Sequence, residues 1–196
     1  TFTEDQDELD QLAMHPDENV ARRTLTSKGS PPRKVQVSEH ILEIMARSPS
    51  DVLRKTVALY SETPLSILAE LALDPSSTVA KAVASLDRLT GDILDSMIEQ
   101  DDDALRHVAA HPNLHKSTLD KIVFENLQPF GAARNPNLTR AHVDHLLILN
   151  EETVFYKLFT NTGFTSRDQQ IYVALMSYVL SSDLKSVSNS WPIWAN

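Results

Sequence analysis

The sequence predicts an all-α chain: a solenoid of about five two-helix repeats between Leu9 and Leu147, closed by a helical C-terminal cap. Three observations predict it. A stripe of large apolar residues, a proline-bearing corner and a pair of small apolar residues all recur in one register. The organisation that follows is a repeat region over 1–150 and a cap with a Trp-containing tail over 151–196.

Residues 63–86 give the unit. Thr63 is expected to cap a helix opening at Pro64, and Asp74 a second opening at Pro75. Each pair sets a side-chain acceptor before a proline at the first helical position, where the missing N–H costs nothing. Ile67, Leu68, Leu71 and Ala72 form one helical stripe in the first helix. Val79, Val83, Ala84 and Leu86 do similar work in the second.

The stripe returns along the chain as Leu9, Leu12, Ala13; Leu42, Met45, Ala46; Leu68, Leu71, Ala72; Leu94, Met97, Ile98; Leu119, Ile122, Val123; and Val143, Leu146, Leu147. The middle residues (12, 45, 71, 97, 122, 146) are spaced by 33, 26, 26, 25 and 24. The corners His15-Pro16, Ser48-Pro49 and Asp74-Pro75 follow this column at a fixed offset. Small pairs recur at Val57-Ala58, Val83-Ala84, Val108-Ala109 and Ala132-Ala133, and His111-Pro112 and Asn135-Pro136 follow the last two. An ordinary bundle with incidental spacing is the alternative, but bundle helices need not repeat their corners. A single unit has too small an apolar face to be stable alone. Stacking buries the Leu and Ile columns at about 1.5–3 kcal/mol per side chain.

The strings LALDPSSTVAKAVA, AAHPNLHKSTL and AARNPNLTRAHV resemble the leucine-rich repeat variant family, whose repeat reads approximately LA-x-DP-x(3)-VR-x(2)-VA-x-NP-x-TP-x(2)-L. The resemblance covers 9–147 and implies a right-handed solenoid alternating an α-helix with a second, often 3₁₀-like, helix. One branch of that family carries a cysteine-rich iron–sulfur module. This sequence has no Cys, so that module does not carry over. HEAT-type repeats are the nearest structural alternative, with longer units.

Departures from the repeat are the functional clues. The first spacing exceeds 26 by 7, and the excess falls in 27–37, SKGSPPRKVQV, where Gly29, Pro31 and Pro32 bar a continuous helix. Lys28, Arg33 and Lys34 make this insertion basic on an acidic chain. It reads either as a docking loop for an acidic partner or as a tolerated surface insertion. Arg22, Lys55, Lys81 and Arg106 occupy equivalent second-helix positions, and the fifth unit has Phe130 there. Stacking would align them as a stripe able to grip an acidic peptide or a phosphate backbone. The competing reading is a consensus surface position whose stems cover apolar area or pair with acids. The family pattern itself has Arg there, which favours the second.

Asp101, Asp102 and Asp103 replace the Asp-Pro corner at a helix start, where they complement the helix dipole but lack the spacing of a calcium loop. His107, His111 and His115 are spaced by four, yet Pro112 breaks the helix that chelation would need, and His111 sits at a corner that the family fills with Asn. His142 and His145 lack a third ligand, so all are expected to be surface histidines. Beyond Leu147 the register is expected to be lost. Val154, Phe155, Leu158 and Phe159 predict a helix ending near Gly163. Ser166 then caps another through Leu180, with Ile171, Leu175, Tyr178 and Val179 inward. The segment 151–181 reads as the solenoid's cap. In the tail 182–196, Trp191, Pro192, Ile193 and Trp194 either pack back or anchor a partner.

The chemistry is mostly absent. Four Gly leave no room for a phosphate loop, no nucleophile elbow or HExxH occurs, and no carboxylate is paired with a base by spacing. No catalytic residue, metal site or cofactor is expected. Eighteen Lys and Arg against 27 Asp and Glu give a net charge of -9, which disfavours broad capture of nucleic acid. No run reaches a membrane span and no signal-peptide pattern is present. Absence of Cys fits a reducing compartment, so a cytoplasmic location is expected; the start at Thr1, without Met, fits a fragment of a longer chain. The expected function is a non-enzymatic protein-interaction module with a protein or peptide partner. Its expected contacts are Arg22, Lys55, Lys81, Arg106, Lys28, Arg33, Lys34, Trp191 and Trp194. The alternative is a HEAT-like nucleic-acid-binding or DNA-repair protein.

Overall fold

At five of the proline corners among the described residues, the side chain before the proline accepts from the N–H two residues on. His15 Nδ1 accepts from the N–H of Asp17 (3.0 Å), Ser48 Oγ from Ser50 (3.2 Å) and Asp74 Oδ1 from Ser76 (2.8 Å). His111 Nδ1 accepts from Asn113 (3.0 Å) and Asn135 Oδ1 from Asn137 (2.9 Å). A residue before proline is pushed out of the helical region, and an acceptor two residues behind an N–H closes an Asx-type turn. His Nδ1, Asp Oδ1 and Asn Oδ1 all stand three bonds from Cα, and Ser Oγ, one bond shorter, makes the corresponding bond at a longer 3.2 Å. The structure, a computed structural model, describes residues 2–26, 37–100, 102–149 and 151–161. Every regular element among these residues is an α-helix.

The first of two compact units, Thr1–Ala104, holds α1 (Phe2–Ala13), α2 (Glu18–Thr26), α3 (Glu39–Ala46), α4 (Asp51–Leu59), α5 (Leu65–Ala72), α6 (Ser77–Ala84) and α7 (Gly91–Gln100). α1, α3 and α5 each pack on the helix that follows. Odd helices touch in turn, α1 to α3 to α5 to α7, and even helices likewise, α2 to α4 to α6. The layers meet over Ile41, Leu42, Met45, Leu68, Leu71, Leu94 and Met97, all buried, with Val57-Ala58 and Val83-Ala84 fully enclosed on the even side. Small residues there let α4 approach α6 closely. Leu12 departs from the expected stripe: it is 36% exposed, and the adjacent Ala13 takes the inward position.

The caps read from the prolines are corrected. Thr63 does not cap α5; its hydroxyl, wholly buried, donates backward to the carbonyl of Val57 (2.6 Å), and Pro64 precedes the helix without a side-chain cap. A buried hydroxyl needs a partner, and the Val57 carbonyl, which also takes the N–H of Tyr60 (3.1 Å), offers it a second lone pair. Asp74 does not cap a helix opening at Pro75 either. α6 starts at Ser77, and Asp74 serves the corner and Arg54 instead.

The other unit, Leu105–Asn196, holds α9 (Lys116–Phe124), α10 (Pro129–Ala132), α11 (Arg140–Ile148) and α12 (Glu152–Phe159), while α8 (Asp102–Val108) runs across the division. α9 packs on α10 and α11, and α12 on both α10 and α11. α9 ends in a Schellman motif. Asn126 takes a positive φ of 55°, its N–H bonds Val123, and the N–H of Leu127 reaches Ile122. α11 opens with a capping box in which His142 Nδ1 accepts from the N–H of Thr139 (3.1 Å), a role usually filled by Glu or Gln.

The register does not stop at Leu147. Asn135 Nδ2 donates to the carbonyls of Ala109 (3.0 Å) and His111 (2.9 Å), and Asn161 Nδ2 does the same to Ala133 and Asn135 (both 2.9 Å). Leu158-Phe159 stands where Ala132-Ala133 stands one cycle earlier. Val154, Phe155, Leu158 and Phe159 are buried as expected. The predicted helix from Ser166 and the tail lie outside the described residues.

Candidate functional site

Within the first unit the corners tie neighbouring helix pairs together. Arg54 Nε and Nη2 grip Asp74 Oδ2 and Oδ1 (2.6 and 2.9 Å), and Arg54 Nη1 donates to the carbonyls of Ser48 (2.8 Å) and Pro49 (3.1 Å). Burial opposes the Asp74 charge. The hydrogen bonds from Arg54, the N–H of Ser76 and the nearby guanidinium outweigh it and hold the carboxyl below its usual range. Ser50 Oγ donates to Glu18 (2.6 Å), and Ser76 Oγ one repeat later donates to Asp51 (3.3 Å). Arg88 reaches the carbonyls of Thr63 (2.7 Å) and Tyr60 (2.9 Å), closing the end of α4 much as Asn135 closes that of α8. These side chains are occupied by the fold itself.

The histidines expected at the surface divide. His111 and His142 are buried, a correction with a clear cause: both stand in for Asn or Glu in turn and cap chemistry. His142 Nε2 meets Asp120 Oδ1 (2.7 Å) while Nδ1 meets the N–H of Thr139 (3.1 Å), so both ring nitrogens are engaged. Lys116's hydrogen bond, with His142's, holds Asp120 below its usual range against a modest burial penalty. A His–Asp pair without a free ring nitrogen has no lone pair for a general base. His145 Nε2 meets Asn126 Oδ1 (3.0 Å), and Phe124 lies against both rings. Among the described residues no group of three His, Asp or Glu side chains could hold a metal, and no helix is long and apolar enough to cross a membrane.

What remains is the column of second-helix positions. In the first unit it runs Arg22, Lys55, Lys81 on the mutually packed α2, α4 and α6; Arg22 and Lys81 are exposed and Lys55 is half-buried. In the other unit Arg106 is exposed, and the same register positions of α10 and α12 hold Phe130 and Tyr156, 43% and 48% exposed. Lys157 Nζ lies 5.3 Å from the Phe130 ring centroid and 5.6 Å from that of Tyr156. Arg134, Lys157, Thr160 and Asn161 line a small open recess beside them. Phe130 was legible as the break in the basic column. Tyr156 and Lys157 were missed, because the small pair and the proline that mark the register are absent from this last cycle. Lys28, Arg33, Lys34, Trp191 and Trp194 lie outside the described residues. Comparison with protein-family models, with curated proteins and with solved structures finds no match.

Proposed function

We propose that the chain is a non-enzymatic scaffold that binds an acidic segment of a protein partner along its second-helix face. On this reading it is a right-handed α-solenoid of the leucine-rich-repeat-variant kind, whose register runs on through α12. The observation that carries it is the register of Arg22, Lys55 and Lys81. Three contacting helices hold cationic positions out of the apolar core, while the polar groups at the corners are already engaged within the fold. Repeat proteins commonly bind along such extended faces, where contacts add along the stack. Rim charges of this kind set on-rate and salt dependence more than affinity.

The test is chemical-shift mapping with a Glu-rich peptide against a gel shift with duplex DNA. The reading expects perturbations at Arg22, Lys55 and Lys81 that fade with added salt and are lost in Lys55→Ala/Lys81→Ala. Shifts confined to the odd-numbered helices, or DNA bound more tightly than the peptide, would contradict it.

A further inference from the structure

Along the sequence the second-helix register positions change character, and that change has a chemical meaning of its own. Where α2, α4, α6 and α8 carry Arg or Lys, α10 and α12 carry Phe130 and Tyr156. Both rings are more than two-fifths exposed, and one ammonium, Lys157, lies over the two of them. Arg134 stands on the same recess, and neither it nor Lys157 has an ion pair among the described residues. On a chain of net charge -9, two cations facing one depression without an acid between them are a local reversal of sign.

We propose that Arg134, Lys157, Phe130 and Tyr156 form a binding site for an acidic peptide motif, which places a carboxylate between the two cations and an adjacent apolar side chain on the two rings. The inference rests on reading second-helix faces as binding surfaces, and it assigns the face within Leu105–Asn196 a specific ligand chemistry. An aromatic face beside an ammonium is partly desolvated, which strengthens a charge-assisted bond formed there. The backbone beside Phe130 is tightly packed: an added Cβ on Gly131 would lie 2.9 Å from the Ala109 side chain, and Asn161 is held by two carbonyls at the rim. Two rings and two cations also suit a stacked base above a phosphate, but single-strand binders track the backbone with an extended positive groove, which the acidic balance of this chain opposes.

The experiment uses the full chain and fluorescein-labelled peptides of alternating Glu and Leu, with Gln-for-Glu and Ser-for-Leu counterparts, read by anisotropy. The Glu–Leu peptide is expected to bind, and each counterpart to bind at least about tenfold more weakly. Arg134→Gln/Lys157→Met and, separately, Phe130→Ser/Tyr156→Ser should each lose at least about tenfold. All four positions lie at the surface, so unchanged melting curves verify the fold. Loss in these variants with unchanged binding in Lys55→Ala/Lys81→Ala supports the recess and removes the extended column instead. Equal affinity for Glu and Gln peptides, unchanged binding in the recess variants, or tighter binding of a single-stranded oligonucleotide overturns the proposal.

Discussion

Asn161 Nδ2 donates to the carbonyls of Ala133 and Asn135, and Asn135 Nδ2 donates in the same manner to those of Ala109 and His111. One buried amide thus closes the end of the preceding second helix and offers its own carbonyl to the next amide.

That relay makes Asn135 a sensitive position. Asn135→Ala removes two donors from buried carbonyls and the acceptor that holds Asn137. Each orphaned buried group costs about 1–3 kcal/mol, so the variant should lose about 3 kcal/mol in urea denaturation followed by circular dichroism. Asn135→Asp keeps the turn acceptor but sets an anion against two carbonyls, and is expected to be no better. A loss under about 1 kcal/mol for Asn135→Ala would mean the bonds are incidental.

Acidification tests the Arg54–Asp74 pair. The folded carboxyl of Asp74 lies below its ordinary value, as does that of Asp120. A depressed folded pKa contributes stability that is present above the unfolded value of about 4 and is lost as pH falls through the folded one. The wild type should therefore lose stability below about pH 4 for both groups. Arg54→Met strands a nearly enclosed carboxylate and should cost about 3 kcal/mol at neutral pH. Its stability should then fall less steeply on acidification, with the remaining slope carried by Asp120. Parallel pH curves for the two proteins would contradict the coupling.

Gly131 is expected to resist even the smallest side chain. A Cβ there would meet Ala109 Cβ at 2.9 Å and Gln128 Cγ at 3.0 Å. Gln128 is flexible and can yield, whereas Ala109 cannot. Overpacking of about 1–3 kcal/mol should exceed the gain of up to about 1 kcal/mol in helix propensity, so Gly131→Ala destabilises. Ala109→Gly in the same chain should recover part of the loss, and a double-mutant cycle with no coupling would remove the explanation.

The all-helical fold and the buried columns were legible because apolar period and proline corners are local signals. Met45, Leu71, Met97, Ile122 and Leu146 are all buried as the spacing predicts. The roles of Thr63, Asp74, His111 and His142 were not legible, since each depends on which backbone group lies beside it. A histidine before a proline looks like a ligand or a surface base, but its Nδ1 has the reach of an Asn oxygen. Asn161 was hidden for another reason: Thr162 follows it rather than proline, and Leu158-Phe159 replaces the small pair. The partner-binding residues read from charge were legible only as a column, because exposure and contact between rings and ammonium are properties of the packed chain.

Within Thr1–Ala104 neighbouring helix pairs pack over shared buried columns, so a charge in the middle of the stack should loosen its neighbours as well. Hydrogen–deuterium exchange of wild type against Leu71→Asp tests it most directly. Leu71 is 2% exposed between Met45 and Met97 in register, and a charge there cannot be solvated without parting α5 from α3 and α7. α3, α4, α5, α6 and α7 are expected to lose protection together. Protection lost in α5 alone, with α3 and α7 exchanging as in wild type, would contradict it.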